Sequence, residues 1–415
     1  MVANVLRKPR LVSRTQAEAR DQRLKAELQT VPDAQQALAD VHKARHKEFK
    51  TFVADNVEPF AEQWDREQQL PEAILAKLAQ WGYLGCSVPA EYDGQGWDVV
   101  TFGLLNEALG RGSSALTDVL TVQAMVSMTL LKWGSAEQKH QWLPPLARGE
   151  MIAAFAMTEP GTGSDLQSLA TGLSAQGGHF ILHGTKRWIS CAQFAGVFLV
   201  FGKLEQHPVA CLVPRESPGF RIEPITDLMG LRAAGLGQLH FENVKVPTAN
   251  LVGKPGFALS HVAPVGLHHG RISAACSALG LLRGCFEESI AHAAKRKIGN
   301  KTVGEMGMIR SLIARMGTDL EAARLLCHGA CRAEDEHSPE AFEKTFMAKY
   351  FTSRAAVRAA SDAVQIRGAS GCHAASPTSR FYRDAKIMEI IEGTTQIHED
   401  ILGKIFVDQA GRFGK

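Results

Sequence analysis

Apolar residues recur at three- and four-residue spacing in the N-terminal part of the chain, which is the spacing of one buried helix face. One such series consists of Phe49, Phe52, Val53 and Val57. Ser135 and Gln138 stand at the spacing of a capping box and are expected to open another helix. We therefore predict an N-terminal helical domain over residues 36–150, preceded by a polar arm over residues 1–35.

Short apolar runs replace the helical pattern between residues 151 and 253, and Gly, Pro and Asn separate them. Runs of this length bounded by turn residues are typical of β-strands. The runs are Ile152–Met157, Phe180–Leu182, Val197–Phe201, Val209–Val213 and Leu239–Val246. The pattern predicts a small antiparallel β domain over residues 151–253.

Helical periodicity returns at Phe257 and continues to the end of the chain. Pro264 lies within the first of these helical segments, and because proline lacks a backbone donor it should kink or interrupt the helix there. We predict a C-terminal helical domain over residues 254–415. The fold class is therefore α+β and mostly helical, with a β domain between two helical layers.

The charged residues of the 415-residue chain nearly balance, with 46 basic against 43 acidic residues and a formal net charge of +3. This balance gives no electrostatic reason to expect a nucleic-acid partner.

No apolar run approaches the roughly 18 residues that a membrane span requires, so no span is expected. The first residues are basic and lack acids, as in a transit peptide, but acids follow from Glu18 onwards. A cytoplasmic location is expected, with the mitochondrial matrix as the alternative.

The eight cysteines are scattered along the chain and form no C-x-x-C pair. Most stand among apolar neighbours, which is typical of buried free thiols in a reducing compartment. Cys327 and Cys331 have the spacing of one helix face. Because no second ligand pair stands at zinc-like spacing, we expect these two thiols to pack in the core and no metal to bind.

The segment Thr158–Asp165 reads Thr-Glu-Pro-Gly-Thr-Gly-Ser-Asp and directly follows a predicted strand. Glycines allow the backbone donors of such a loop to approach a phosphate or a polar ring. The segment is not a P-loop, because no Gly-Lys-Ser/Thr follows it, and it lacks the Gly-x-Gly-x-x-Gly of a Rossmann unit. Taken alone, a glycine-rich loop of this kind is more often a structural turn than a binding loop.

Trp188 and Ser190 stand two positions apart in the segment Lys186–Ser190, so a strand would place them on the same face. An indole beside a hydroxyl suits an aromatic heterocycle, because it offers a stacking surface and a hydrogen bond. A core tryptophan beside an unrelated serine is the alternative.

A third motif lies near the C-terminus, where an isoleucine-rich helix is predicted to end at Glu392 and Gly393. Gly393 should terminate the helix and leave Glu392 at an exposed turn. A carboxylate against so apolar a segment should be partly desolvated, which raises its pKa towards the value that a general base requires. A solvent-facing glutamate at a helix end is the alternative.

In this order, the three motifs resemble those of the acyl-CoA dehydrogenase family, and the resemblance covers nearly the whole chain after the N-terminal arm. It extends to Val88–Tyr92, Met229–Arg232, Phe241–Pro247 and Gln365–Gly371. It implies N-terminal helices, a central β domain, a C-terminal four-helix bundle, bound FAD and assembly as a homo-oligomer, either a dimer or a tetramer.

The resemblance also assigns roles to single residues. Glu392 is expected to remove the α-proton of an acyl thioester while the flavin N5 accepts the β-hydride. Ser164, Arg271 and Gly393 are expected to contact the substrate, with Arg271 behind the catalytic carboxylate. Arg296, Gln365 and Gly368 are expected to meet the FAD of a neighbouring subunit. The full cofactor-binding set is Phe155, Met157, Thr158, Gly163, Ser164, Trp188, Ser190, Arg296, Gln365, Gly368, Ala369, Thr394 and Gln396.

The chain departs from the family's usual pattern around Arg271, where His268, His269 and Gly270 replace acidic and hydroxyl residues. The aromatic residue that usually follows Arg296 is missing as well. These departures favour a short or functionalised acyl group, carried either by CoA or by an acyl carrier protein. The resemblance implies an electron-transferring flavoprotein as the acceptor.

Two other classes of function compete with this interpretation. A flavin monooxygenase on the same fold would need no α-proton base, and a non-catalytic scaffold would bind acyl thioesters without turning them over. Both are disfavoured by the intact Glu392 segment.

Pocket residues on an N-terminal helix include Leu120, Thr121 and Ala124, although core packing explains these three equally well.

Overall fold

The N-terminal part of the protein is helical in the computed structural model, which describes residues 38–409. Its helices are α1 (Asp40–Asn56), α2 (Ala61–Glu67), α3 (Glu72–Gln80), α4 (Val99–Gly112), α5 (Ser114–Trp133) and α6 (Ala136–Ala147). Phe49, Phe52, Val53 and Val57 are buried, as their spacing predicts. The polar arm predicted over residues 1–35 lies outside the described residues.

The predicted capping box opens α6. The hydroxyl of Ser135 accepts the N–H of Gln138 at 3.2 Å, and the side-chain oxygen of Gln138 accepts the N–H of Ser135 at 3.0 Å. The preceding helix, α5, is long and apolar enough to cross a membrane by length and composition, which the sequence pattern did not predict. Because 89% of its most apolar window is buried inside the protein, it has the burial of a core helix.

The central part of the chain forms one eight-stranded sheet. Its strands are β1 (Ala153–Ala156), β2 (Gly172–Gln176), β3 (His179–Ile189), β4 (Val197–Leu204), β5 (His207–Pro214), β6 (Phe220–Pro224), β7 (Gly237–Pro247) and β8 (Leu251–Val252). The main order is β6-β7-β3-β2-β4-β5-β8, and β1 pairs with β4. The prediction of a purely antiparallel sheet was wrong at two pairings, because β1 and β2 both run parallel to β4.

The C-terminal part is again helical. A π-helical turn at Ala258–Val262 leads into α7 (Ala263–Lys295), and a two-stranded hairpin, β9 (Lys297–Ile298) and β10 (Lys301–Thr302), follows. Pro264 stands at the first positions of α7, so the interruption that its ring predicts appears as the change from π-turn to α-helix. The remaining helices are α8 (Gly307–Asp335), α9 (Ala341–Arg367), α10 (Pro377–Met388) and α11 (Thr395–Asp408).

Helix α7 is the central element of the molecule, because it packs against α4 and α5 on one side and against α8 and α9 on the other. It therefore joins the N-terminal helices to the C-terminal bundle. Seven cysteines are buried free thiols and Cys372 is an exposed one. Cys327 and Cys331 pack in the core as predicted, and the described part of the chain contains no cluster of metal-ligating side chains.

Candidate active site

Glu392 lies in a tight turn between α10 and α11, which we call the Glu392 turn (residues 389–394). The N–H groups of Ile390 and Ile391 both donate to the carbonyl of Ile387, at 2.9 and 3.1 Å. The helix prediction was wrong here, because α10 ends at Met388 rather than at Glu392. Glu392 and Gly393 have positive φ angles of 54° and 98°, so the chain cannot continue as a right-handed helix.

The carboxylate of Glu392 points into the protein, so the prediction of an exposed turn was wrong as well. The residue is half-buried, and its Oε2 atom is buried without a hydrogen-bond partner among the described residues. Burial raises the pKa of Glu392 to about 7, against the opposing charges of Arg271 and Lys349. The desolvation predicted from the apolar neighbours is therefore present, and it gives this carboxyl the pKa of a general base near neutral pH.

Two cations, the half-buried Arg271 and the buried Lys349, hold the backbone of the Glu392 turn. Arg271 on α7 donates from Nε to the carbonyl of Glu392 at 3.3 Å, and its guanidinium lies 4.5 Å from the centre of the Phe346 ring. Lys349 on α9 donates from Nζ to the carbonyl of Gly393 at 2.7 Å. Burial lowers the pKa of Lys349 to about 8, while the charge of Glu392 favours the ammonium form. The turn is thus fixed from two different helices.

A glycine makes room for the carboxylate. A Cβ atom on Gly270 of α7 would lie 2.6 Å from Cδ of Glu392 and 3.0 Å from Sδ of Met125 on α5. Real Cβ contacts are essentially never this short, so no other residue fits at position 270 with the carboxylate in place. The carboxylate of Glu392 therefore lies between α5 and α7.

The loop Thr158–Asp165 is attached to strand β3 by a buried ion pair. Lys186 donates from Nζ to Oε1 of Glu159 at 2.8 Å and to the carbonyl of Met157 at 2.9 Å. The carboxylate of Glu159 also accepts the N–H groups of Ala170 and Thr171. The start of the loop is fixed in this way, while Gly163 and Ser164 stand exposed further along it.

Trp188 and Ser190 do not lie in a regular strand, so the argument from alternating faces was wrong. The pairing of β3 with β7 shifts register between Lys186 and Ile189, Trp188 has a φ of 60°, and Ser190 follows the end of the strand. The indole is 47% exposed and packs against the guanidinium of Arg187 at 4.7 Å. The N–H of Arg187 donates to the carbonyl of Thr158 at 2.9 Å, so the loop and the tryptophan are neighbours.

The other predicted residues divide into two groups. Phe155 and Met157 are buried on and just after β1, and Thr394 and Gln396 stand at the start of α11, beside a groove of about 280 Å³. The second group consists of Arg296, Gln365, Gly368 and Ala369, which are exposed at the C-terminal ends of α7 and α9.

These groups are far apart within one chain. Gly270 and Arg296 stand at opposite ends of the same continuous helix, about 39 Å apart at 1.5 Å per residue. A Cβ atom on Gly266, one turn before Gly270 on α7, would lie 2.6 Å from the ring of Phe155, which precedes the Thr158 loop. The motifs at Thr158 and Trp188 therefore lie on the same part of α7 as Glu392, whereas Arg296 and its neighbours do not.

Sequence reasoning missed two charged residues near Glu392. Lys349 is one, and its burial in the middle of an alanine-rich helix gave no distinctive signal. Asp118 on α5 is the other, and it is the only charged residue between Arg111 and Lys132. A single acid inside so apolar a helix is the signal that could have identified it.

Three family profiles match successive parts of the chain. They are the acyl-CoA dehydrogenase N-terminal domain at residues 39–150, the middle domain at residues 154–244 and the C-terminal domain at residues 260–406. The chain belongs to the acyl-CoA dehydrogenase family. It is accordingly an oxidoreductase of acyl thioester metabolism, in a family of FAD enzymes.

Individual acyl-CoA dehydrogenases match over most of their length. The chain is 34% identical to glutaryl-CoA dehydrogenase of Desulfococcus multivorans over 375 residues, which are 88% of this chain and 95% of that relative. A glutaryl-CoA dehydrogenase from Mycobacterium smegmatis in complex with FADH2 superposes with a TM-score of 0.86 at 27% identity, covering 91% and 97% of the two chains. A prolyl acyl carrier protein oxidase superposes with a TM-score of 0.84 at 26% identity, covering 89% and 99%. The predicted fold class is confirmed.

Proposed function

We propose that the protein binds FAD and oxidises the Cα–Cβ bond of an acyl thioester, with Glu392 as the base that removes the α-proton. The observation that carries the proposal is the partly desolvated carboxylate of Glu392, with a pKa of about 7. Asp118 links it to the segment of Trp188, because Asp118 hydrogen-bonds to Ser190 and its charge acts on Glu392. A base whose pKa lies near the working pH combines a useful ionised fraction with strong proton affinity.

The residues around Trp188 fit an aromatic cofactor with a polar tail. The half-exposed indole offers a stacking surface, and Nε of Arg187 is a buried donor without a partner among the described residues. Apolar contact would come from Phe155 and Met157. Hydrogen bonds would come from Thr158, Gly163, Ser164, Ser190, Thr394 and Gln396. When bound, FAD supplies the two-electron acceptor for the β-hydride.

The α-proton of a thioester is weakly acidic, so the base needs help from groups that stabilise negative charge on the carbonyl oxygen. We propose the N–H of Glu392 itself as one such donor, because it donates to no acceptor in the described part of the chain. Donors of this kind contribute about 3–4 kcal/mol each. Arg271 and Lys349 would keep both the N–H and the carboxylate in place by holding the carbonyl groups of the turn.

The exposed residues at the far ends of α7 and α9 are proposed to act across a subunit interface. Arg296, Gln365, Gly368 and Ala369 lie too far from Glu392 to meet the same cofactor within one chain. A homo-oligomer, either a dimer or a tetramer, would bring them to the FAD of a neighbouring subunit. The cytoplasmic location stays a prediction.

The substrate carrier and the electron acceptor are further parts of the proposal. We propose a short or functionalised acyl group on CoA or on an acyl carrier protein, with Ser164, Arg271 and Gly393 in contact with it. The resemblance to a prolyl acyl carrier protein oxidase supports the second carrier. An electron-transferring flavoprotein is proposed to receive the two electrons.

An anaerobic panel of acyl thioesters, followed by flavin absorbance, tests this function. We expect purified protein to be yellow and a saturated acyl thioester to bleach the flavin without oxygen. Product that forms only with oxygen and a reductant would instead support the monooxygenase. Protein that stays colourless after FAD is supplied would support the scaffold. Turnover of one acyl group on both carriers decides between them, and a clear preference for CoA would rule out the carrier protein.

A further inference from the structure

Asp118 is a buried carboxylate near the proposed active site, and it has neither a cation nor a backbone N–H as a partner among the described residues. Its residue is 6% exposed, and its Oδ2 atom has no hydrogen-bond partner within the described residues 38–409. It also has no ion pair with any cation in that range. Burying an unpaired carboxylate is costly, so it is seldom found without a reason in the function of a protein.

The neighbours of Asp118 place it close to the carboxylate of Glu392. The hydroxyl of Ser190, next to the Trp188 segment, hydrogen-bonds to Asp118, and the negative charge of Asp118 favours the protonated form of Glu392. Met125 stands two turns further along the same face of α5, and it approaches Gly270 beside the Glu392 carboxylate. Asp118 therefore lies between the Trp188 segment and the proposed base.

Packing of α5 does not explain Asp118. The polar contacts between α5 and α7 are made by its neighbours, since Thr117 Oγ1 lies 2.7 Å from Ser277 Oγ and Thr121 Oγ1 lies 2.6 Å from Ser273 Oγ. These hydroxyl pairs complete the interface without the carboxylate.

A second buried aspartate shows what a structural role looks like in this protein. Asp384 on α10 accepts the N–H of Leu231 at 2.8 Å and lies 3.7 Å from Nη1 of Arg380. Its carboxylate thus has both a backbone donor and a cation. In the described part of the chain, Asp118 has neither a backbone donor nor a cation. Its carboxylate is therefore available to bind a ligand.

We propose that Asp118 binds a protonated amine carried by the acyl group of the substrate, and this inference rests on the function proposed above. An ionised carboxylate only accepts hydrogen bonds, so its ligand must be a donor. A cationic donor satisfies the buried oxygen and neutralises its charge in one contact, and such charge-assisted bonds are about twice as strong as neutral ones. A plain alkyl chain would leave the carboxylate buried and unpaired.

Two pairs of CoA thioesters of equal shape test the proposal on the holoenzyme. The first pair is prolyl and cyclopentanecarbonyl thioester, and the second is 4-(dimethylamino)butyryl and 5-methylhexanoyl thioester. Within each pair, one carbon is replaced by a nitrogen that is protonated near neutral pH. The measurement is the rate constant of anaerobic flavin reduction divided by the dissociation constant of the thioester.

We expect the amine to exceed its carbon partner by about 30-fold in at least one pair, which corresponds to about 2 kcal/mol. The variant Asp118→Asn, which keeps the shape and removes the charge, should abolish this preference, so that the two members of each pair give equal values. If this variant does not fold, the amine-to-carbon ratios measured on the wild-type protein still test the proposal.

The role of Asp118 would be overturned if, in both pairs, the amine gave an equal or lower ratio of rate constant to dissociation constant than its carbon partner. Flavin reduction by the carbon thioesters would at the same time uphold the dehydrogenase function. The same holds if all four fail while a simple butyryl thioester reduces the flavin. An amine preference that persists in Asp118→Asn would also overturn the inference. Failure of every thioester, butyryl included, would overturn the proposed function and this inference with it.

Discussion

The carboxylate of Glu392 lies directly against the backbone of Gly270, so that even a methyl group at position 270 would overlap with it. Gly270 belongs to α7, the helix that joins both helical layers, and it cannot move away easily. The position of the proposed base is therefore set by the absence of a side chain on a rigid neighbour.

Replacing Gly270 by alanine should displace the carboxylate while the helix stays intact. Because alanine favours a helix, we expect unchanged flavin content and thermal stability. We expect kcat to fall by about 10- to 100-fold, since a displaced catalytic group loses its alignment with the substrate. Gly329→Ala is the matched control, because Gly329 is a helical glycine with open space around its Cβ position. Unchanged kcat in Gly270→Ala would contradict the account.

The charge of Lys349 should set the pH at which Glu392 becomes active. Lys349 lowers the pKa of Glu392, so Lys349→Met should raise that pKa above its value of about 7. A base works only when ionised, and the acid limb of the rate profile should therefore move to higher pH, by about one pH unit.

The control for this profile is Lys344→Met. Lys344 lies on the same helix α9 and pairs with Glu340 at the surface, at 2.9 Å. That variant should leave the midpoint of the pH profile where it is. A midpoint that does not move in Lys349→Met either would show that this ammonium group does not act on the base.

Ionisation of the proposed base, Glu392, should also lower the free energy of unfolding at alkaline pH. Burial raises the pKa of Glu392 from its ordinary value of 4.5 to about 7, so the folded protein holds a proton that the unfolded chain has lost. Stability from this group is therefore present at low pH and lost as the pH rises through 7. We expect Glu392→Gln to raise the Tm at pH 8, with a gap over the wild type that shrinks towards pH 5. A gap that stays constant between pH 5 and 8 would contradict this.

Outside the active site, a buried cluster of charged side chains between the helical layers should make the largest contribution to the loss of stability at acid pH. Glu107 on α4 is buried and lies 3.3 Å from Nε of Arg283 on α7. Burial alone would raise the pKa of Glu107, but the charges of Arg283 and its neighbours lower it to about 2. The stability from this carboxylate is thus present above its ordinary pKa and lost as the pH falls through about 2.

Glu107→Gln should leave the buried Arg283 guanidinium with only the more distant carboxylate of Glu287, at 3.8 Å, as its ion-pair partner. Removing one partner of a buried pair in this way lowers the free energy of unfolding by about 3 kcal/mol. Denaturant unfolding at neutral pH measures the change. Glu340→Gln, at an exposed pair with Lys344, should lower the free energy of unfolding far less. Similar losses in the two variants would mean that the buried cluster contributes no more than a surface pair.

The helices and most strands could be predicted because their signals are local. Phe49, Phe52 and Val53 follow the helical period, and the run at Val197–Phe201 lies within β4. The parallel pairing of β1 with β4 could not be predicted, because it joins segments that are distant in sequence and is decided by the packing of the whole domain.

The same limit applies to the active site. The chemistry of Glu392 follows from its apolar neighbours, whereas its inward direction depends on two consecutive residues with positive φ and on contacts from α7 and α9. Asp118 is brought towards Glu392 only by the packing of α5 against α7. Local pattern thus identified the residues of the motifs, and tertiary packing decided which charges surround them.

Anaerobic mixing of Glu392→Gln with an acyl thioester that reduces the wild-type flavin tests the central claim most directly. We expect a yellow protein that still binds the thioester, with flavin reduction slowed by about 1,000-fold or more, because the amide cannot accept the α-proton. Reduction at the wild-type rate would contradict the account.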